Sequence, residues 1–118
     1  MKPSTDFSEI YLHRDPIDFR KSINGLAVIV EQQMKLSPFD NALFVFCNKG
    51  RDKLKALYWD KTGFCLWYKR LEKEKFKWPR KQQKATLTVS EQQWNWLLSG
   101  LDIQTMQGHQ PLFFEVIQ

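Results

Sequence analysis

The chain has 118 residues and a mass of 14.1 kDa, which corresponds to about one domain, residues 1–118. Hydrophobic residues make up 42% and charged residues 26%, a composition that predicts a folded chain and excludes a disordered one. No apolar run approaches the ~20 residues needed to cross a bilayer, and the first residues lack the apolar core of a signal peptide. We therefore expect no membrane partner. The two cysteines form no CxxC pair, so we expect no disulfide framework and a cytoplasmic location.

Positive charge is concentrated in the middle of the chain. The net charge of the whole chain is +5. Residues 48–84 contain thirteen Lys or Arg against four acids, so their net charge is +9, and the remaining residues carry −4. A basic region in an otherwise acidic protein favours a polyanion among its partners.

The first half of the chain predicts a strand followed by a long helix. Residues 10–12 form a short apolar run that is typical of a strand. Asp15 then resembles a helix N-cap, with Pro16 at the first helical position. Apolar residues recur at helical spacing as far as Met34, which predicts a helix over residues 16–34.

The second half predicts a sheet and a short helix. Residues 42–47, 53–59 and 64–71 are apolar or alternating and are joined by tight turns, which favours an antiparallel meander. The sequence also predicts a strand over residues 85–89 and a last strand over residues 112–117. Ser90 and Gln93 form a capping box for a helix whose apolar stripe is Trp94, Leu97, Leu98 and Leu101, with Gly100 at its end.

These elements predict an α+β fold: a small antiparallel β-meander sheet with one packed N-terminal helix and a short C-terminal helix. The helical stripe and the apolar strands should meet in a single core. Its predicted members are Phe19, Ile23, Leu26, Val30, Leu43, Val45, Leu57 and Leu66.

No catalytic or metal site stands out from the sequence. His13, His109, Cys47 and Cys65 have the right side chains for zinc but no zinc-motif spacing. No nucleophile, zinc-protease or phosphate-loop motif is present. The acids Asp15, Asp18 and Asp60 are better explained as helix-start and turn residues. We therefore predict a protein that is not an enzyme and uses no metal or cofactor.

The remaining candidate is a run of eight cations at residues 69–84, and we call its first part, residues 69–80, the basic segment. Cations there can neutralise phosphates, and the interleaved Phe76 and Trp78 could stack on bases. The alternative is a solvated edge guarded by lysines, with both aromatic side chains turned into the core. We predict phosphate contacts with Trp78 packed beneath them. The predicted nucleic-acid-binding residues are Lys69, Arg70, Lys73, Lys75, Lys77 and Arg80.

Several motifs resemble a family of small transposon proteins. Residues 15–26 read DPIDFRKSINGL and residues 37–46 include SPF and ALFVF. Residues 57–60, 63–64, 68–72 and 76–79 then read LYWD, GF, YKRLE and FKWP. In this order they resemble the accessory protein of the second open reading frame of insertion sequences of the sixty-six type, often labelled TnpB. The resemblance covers residues 10–79, with departures at Ser22 and Glu74, and little of it follows Pro79.

The resemblance implies an accessory role in moving a DNA element whose chemistry belongs to a separate DDE transposase. It supplies no catalytic residues. Expected partners are the DNA of the element ends and the transposase. Two functions stay open: a nucleic-acid-binding module, or a protein-interaction subunit that binds the transposase through aromatic residues such as Trp67 or Trp96. A small nuclease is the weakest alternative.

Overall fold

A five-stranded sheet with one helix on each face organises the molecule. The computed structural model describes residues 1–79 and 84–103. The helices are α1 (Ile23–Gln32) and α2 (Glu91–Leu98), and a short 3-10 turn covers Ser4–Asp6. The strands are β1 (Glu9–His13), β2 (Ala42–Cys47), β3 (Lys53–Asp60), β4 (Gly63–Arg70) and β5 (Thr86–Val89), in the spatial order β4-β3-β2-β1-β5. The predicted α+β class is confirmed.

The sheet is mostly antiparallel, with one parallel pair. The meander β2-β3-β4 is confirmed, with Leu57 opposite Phe44 on one side and opposite Leu66 on the other. β5 pairs antiparallel with β1. β1 and β2, however, are parallel, a pairing that the predicted antiparallel meander does not include. A parallel pair needs a long crossover, and α1 lies in that connection.

Apolar clusters cover both faces of the sheet, so β2 at its centre is buried along its whole length. On one face Leu43 and Val45 join the side chains of α2. On the other face Phe44 and Phe46 join those of α1. The prediction of a single core is therefore wrong, because the alternation of side chains along a strand places Leu43 and Val45 on the α2 face. The other six residues of the predicted set belong to the cluster on the α1 face, here called the α1 cluster, or pack against it.

Helix α1 begins later than predicted. Its N-cap is Ser22, so Asp15 and Pro16 do not start it. The chain between Pro16 and Ser22 follows the sheet instead: the backbone N–H of Ile17 donates to the carbonyl of Cys47 at 3.0 Å. The Nζ atom of the buried Lys55 donates to the carbonyls of Phe19 and Lys21, both at 2.8 Å. These tertiary contacts hold a non-helical backbone that local sequence signals do not encode.

Helix α2 has the predicted start and a well-defined end. Ser90 and Gln93 form both hydrogen bonds of the capping box. Gly100 has φ +85°, and the N–H groups of Gly100 and Leu101 donate to the carbonyls of Leu97 and Trp96, the Schellman pattern. Leu101 lies after the helix and is exposed, so its predicted place in the apolar stripe is wrong.

Two predictions fall on residues outside the described ranges: the last strand, residues 112–117, and the site residue Arg80. Within residues 1–79 and 84–103, no helix has the length and apolar character required to span a membrane.

Candidate nucleic-acid interface

Cationic side chains gather at one end of the sheet, where β1, β2 and β4 end and β3 begins. Two backbone hydrogen bonds tie the β2–β3 turn (residues 48–52) to the start of the basic segment. The N–H of Leu71 donates to the carbonyl of Asp52 at 2.8 Å, and the N–H of Phe76 donates to the carbonyl of Arg51 at 2.7 Å. The cations at this end of the sheet are Arg14, Lys49, Arg51, Lys53, Lys69, Arg70, Lys73, Lys75 and Lys77.

Asn48 organises the β2–β3 turn. Its Oδ1 atom accepts hydrogen bonds from the backbone N–H groups of Asp52 (3.1 Å) and Lys53 (3.0 Å). Its Nδ2 atom donates to Oδ1 of Asp52 at 2.7 Å. Within this turn Arg51 has φ +61°, an uncommon conformation for a residue with a Cβ atom. The turn therefore holds the two cations Lys49 and Arg51 in a fixed backbone frame.

The basic segment is extended and alternates between core and solvent from Lys75 to Trp78. Phe76 is fully buried and Trp78 is 6% exposed, while Lys75 and Lys77 are exposed. The indole Nε1 of Trp78 donates to the carbonyl of His13 and to that of Arg14, each at 3.1 Å. The buried aromatic side chains thus anchor the segment, and they are not available for stacking on bases.

The predicted site residues occupy different environments. Lys73, Lys75 and Lys77 are exposed. Lys69 is half-buried on β4, opposite Leu54. Arg70 is exposed and forms an ion pair with Glu72 at 2.9 Å, which raises the pKa of the Arg70 guanidinium.

Acids are interleaved with the exposed lysines. Glu72 and Glu74 are both exposed in the same stretch. Asp52 is half-buried in the β2–β3 turn. The hydrogen bond from Asn48 lowers the pKa of its carboxyl, and the positive charges of Lys53 and Lys75 lower it further. Asp52 therefore stays ionised at neutral pH and offsets part of the positive field. The surface is basic but not purely cationic.

Three further cations were not predicted as site residues. Arg14, Lys49 and Arg51 line a cleft of about 360 Å³ together with Asp15, Pro16, Cys47, Asn48 and Trp78. The cleft lies where the parallel strands β1 and β2 both end, and such crevices are the common ligand sites of parallel sheets. The strand–helix–strand order at residues 9–47 was the sequence signal that could have indicated a parallel pair and this shared edge.

Comparison with known proteins places the chain in a family. A family model described as "IS66 Orf2 like protein" matches residues 8–108. The chain belongs to the IS66 Orf2-like family. The match extends past Pro79, further than the motifs of residues 10–79 indicate. The association with IS66 insertion sequences, expected from those motifs, is confirmed.

Two curated relatives come from Sinorhizobium fredii. The chain is 35% identical to the uncharacterized protein y4hO over 102 residues, which cover 86% of this chain and 88% of the relative. It is 37% identical to the uncharacterized protein y4jC over 93 residues, 79% of each chain. No solved structure matches.

The described residues of this IS66 Orf2-like protein contain no group of three or more His, Cys, Asp or Glu that could hold a metal ion. His13, a candidate ligand by residue type, has both ring nitrogens in hydrogen bonds. Nδ1 lies 2.8 Å from the carbonyl of Asp15 and Nε2 lies 2.9 Å from Oε1 of Gln33. The imidazole is 2% exposed, so it ties β1 to the end of α1 and is not presented to a ligand.

An aromatic cluster lies at the opposite end of the sheet of this IS66 Orf2-like protein. The rings of Phe39, Trp59 and Phe64 have centroids 5.0 to 5.4 Å apart, and Phe39 is 58% exposed. Trp67 and Trp96, which the protein-interaction alternative named, are half-buried and pack against the core cluster that contains the α2 side chains.

Proposed function

We propose that this IS66 Orf2-like accessory protein contacts the DNA of its element through the exposed lysines of the basic segment. The observation that carries the proposal is the alternation around Phe76 and Trp78. Because both aromatic side chains are buried, the segment is held on the core while Lys75 and Lys77 face solvent. Lys73 is exposed on the same segment.

Such a surface binds phosphates and does not read bases. Lysine is a point charge on a flexible stem, suited to phosphate neutralisation with release of counterions. Phosphate contacts position a protein on a duplex but carry no sequence information. The neighbouring carboxylates of Glu72 and Glu74 weaken the field, so affinity should be modest and strongly dependent on salt. Recognition of the element ends would then require the transposase as a second partner.

A gel-shift series with duplex DNA of the element ends tests the proposal. The variant is Lys73→Glu with Lys75→Glu, which reverses two charges in the basic segment. The matched control is Lys35→Glu with Lys61→Glu. Both control lysines are exposed, and they lie at the opposite end of the sheet, one before β2 and one in the β3–β4 turn. The control changes the net charge equally.

We expect the first double variant to lose affinity for all DNA sequences equally and the control to bind much like the parent. Both variants should keep the parent melting profile, because exposed charges change stability by only about 0.5 kcal/mol. DNA binding by the folded first variant that equals the parent at low salt contradicts the proposal. So does a parent that binds no DNA under those conditions.

The aromatic cluster of Phe39, Trp59 and Phe64 favours a second function, binding of the transposase. Phe39 is 58% exposed yet contacts the rings of Trp59 and Phe64, so these three side chains form an apolar surface on solvent. Aromatic residues are the usual anchors of protein interfaces. If the transposase binds here, Phe39→Ala should abolish its capture in a pull-down and leave DNA binding unchanged. Capture that survives this substitution excludes the cluster as the contact.

We also propose that the protein is not catalytic. Strand cleavage by metal ions needs several carboxylates converging on one point. Metal analysis of the purified protein, with cleavage assays in Mg²⁺ and in Mn²⁺, should find no stoichiometric metal and no cutting. Cleavage that disappears on substitution of one of the protein's own acids would refute this.

A further inference from the structure

The cleft at the ends of β1 and β2 is lined by two short stretches of chain and by Trp78. Arg14, Asp15 and Pro16 follow β1, and the second stretch is the last residue of β2 with three residues of the turn after it: Cys47, Asn48, Lys49 and Arg51. Three cations against one carboxylate give its lining a net charge of +2. Asp15 pairs with Arg14 at 3.0 Å, so the positive charge that this pair leaves uncompensated belongs to Lys49 and Arg51.

Arg51 lines this cleft and carries an unused donor. Its Nε atom is buried and has no hydrogen-bond partner among the described residues. The backbone of the same residue is fixed: its N–H donates to the carbonyl of Asn48 at 3.1 Å, and its carbonyl accepts from Phe76. A buried, unpaired guanidinium donor is unfavourable, so an acceptor that enters the cleft removes that cost.

We infer that this cleft binds a phosphate group. A guanidinium matches a phosphate with two parallel N–H···O bonds, and a nearby lysine adds a point charge for a third oxygen. Arg51 supplies the guanidinium and Lys49 the ammonium. A cleft of about 360 Å³ also leaves room for the ester groups that connect a nucleic-acid phosphate to its chain.

The inference deepens the proposed DNA contact and rests on it for the source of the phosphate. Trp78 is one wall of the cleft and also an anchor of the basic segment, so the cleft and the exposed lysines lie on adjoining surfaces. Two sources share the same chemistry: an internal phosphodiester of the duplex and a terminal 5′-phosphate.

NMR observation of arginine side chains tests the cleft directly. Inorganic phosphate is titrated against chloride at constant ionic strength, and the Nε–H signal of Arg51 is followed. It is assigned in the parent by triple-resonance spectra that connect the side-chain Nε–H to the Arg51 backbone. We expect a saturable shift of this signal, while that of Arg20, whose side chain is paired with Asp18, stays in place.

The variant Arg51→Gln should weaken phosphate binding by roughly tenfold, the size typical of one lost hydrogen bond to a charged group. Arg20→Gln is the matched control and should bind phosphate like the parent. No saturable shift at Arg51 across the millimolar range overturns the inference. If Arg51→Gln fails to fold, Lys49→Gln and the titration of the parent carry the same test, because the Arg51 signal of the parent reports the contact itself.

Short duplexes separate the two sources and the two proposals. Stronger binding of 5′-phosphorylated than of 5′-hydroxyl ends, lost in Arg51→Gln, identifies a terminal phosphate. Equal binding of both duplexes, weakened in Arg51→Gln, identifies an internal phosphodiester. Phosphate binding at Arg51 without any DNA affinity refutes the proposed DNA contact but supports phosphate binding in the cleft. DNA binding that depends on Lys73 and Lys75, with an Arg51 signal that never moves, refutes phosphate binding in the cleft and supports the proposed DNA contact.

Discussion

The indole nitrogen of Trp78 donates a hydrogen bond to the backbone carbonyl of His13, 3.1 Å away at the end of β1. This contact joins the basic segment to the strand that ends at the cleft. The same indole N–H also donates to the backbone carbonyl of Arg14, at 3.1 Å. Trp78 therefore helps to hold the exposed lysines beside the cleft.

The substitution Trp78→Phe should lower the free energy of unfolding by about 1–3 kcal/mol, because a buried hydrogen bond is lost and the smaller ring leaves part of the core unfilled. The matched control is Trp59→Phe in the half-exposed aromatic cluster, which should cost less. Urea unfolding followed by circular dichroism measures both. Equal losses would mean that the hydrogen bond to His13 does not stabilise the fold.

Leu26 is fully buried in the α1 cluster, and Val28, two positions along the same helix, is 48% exposed. Leu26→Ala should lower the free energy of unfolding by about 2–5 kcal/mol, since it removes buried methyl groups and leaves a cavity. Val28→Ala should change it by about 0.5 kcal/mol or less. Denaturant melts of the two variants decide this, and a small effect at Leu26 would contradict the orientation of α1.

The sequence predicted the strands better than it predicted the chain before α1. Alternation of apolar residues is a local signal, so it located β2, β3 and β4 within a residue or two. The predicted start of α1 was wrong because Lys55, far along the chain, donates hydrogen bonds to the carbonyls of Phe19 and Lys21 and holds them outside the helix. A lysine in a strand gives no sign that it will be buried, and its pKa is lowered mainly by that desolvation.

The sequence predicted only part of the candidate site, because tertiary contacts decide where the remaining residues lie. The lysines of the basic segment stand out as a local charge run. Arg14 and Arg51 are brought to one cleft only by the parallel pairing of β1 and β2. Whether Phe76 and Trp78 faced solvent or core also depended on the tertiary fold, and both aromatic side chains are buried.

Asp18 and Arg20 give a measurable pH effect. Side-chain hydrogen bonds from Arg20, with its backbone N–H, lower the pKa of Asp18 to about 2 from the ordinary value of 3.8. A carboxyl with a lowered pKa in the folded state stabilises the fold above 3.8, and that contribution is lost as the pH falls through 2. NMR titration of the Asp18 carboxyl should show the low value.

In Arg20→Gln the pKa of Asp18 should rise toward its ordinary value but stay below it, because the backbone N–H of residue 20 still donates at 2.9 Å. Arg14→Gln removes the partner of Asp15 and serves as the control, since it should leave the Asp18 titration in place. An unchanged Asp18 pKa in Arg20→Gln would show that the observed ion pair is not formed in solution.

Salt dependence of DNA binding tests how many phosphates the two surfaces contact together. With Lys73, Lys75 and Lys77 on three phosphates and the cleft on a fourth, log K should fall against log salt with a slope of roughly −3.6, from ~0.9 per phosphate. Lys77→Gln and Arg51→Gln should each reduce the steepness by about 0.9, and the pair by about twice that, because the contacts are separate. Lys61→Gln, exposed at the far end of the sheet, should leave the slope unchanged. A slope that Arg51→Gln does not alter, with Lys77→Gln effective, would restrict DNA contact to the basic segment.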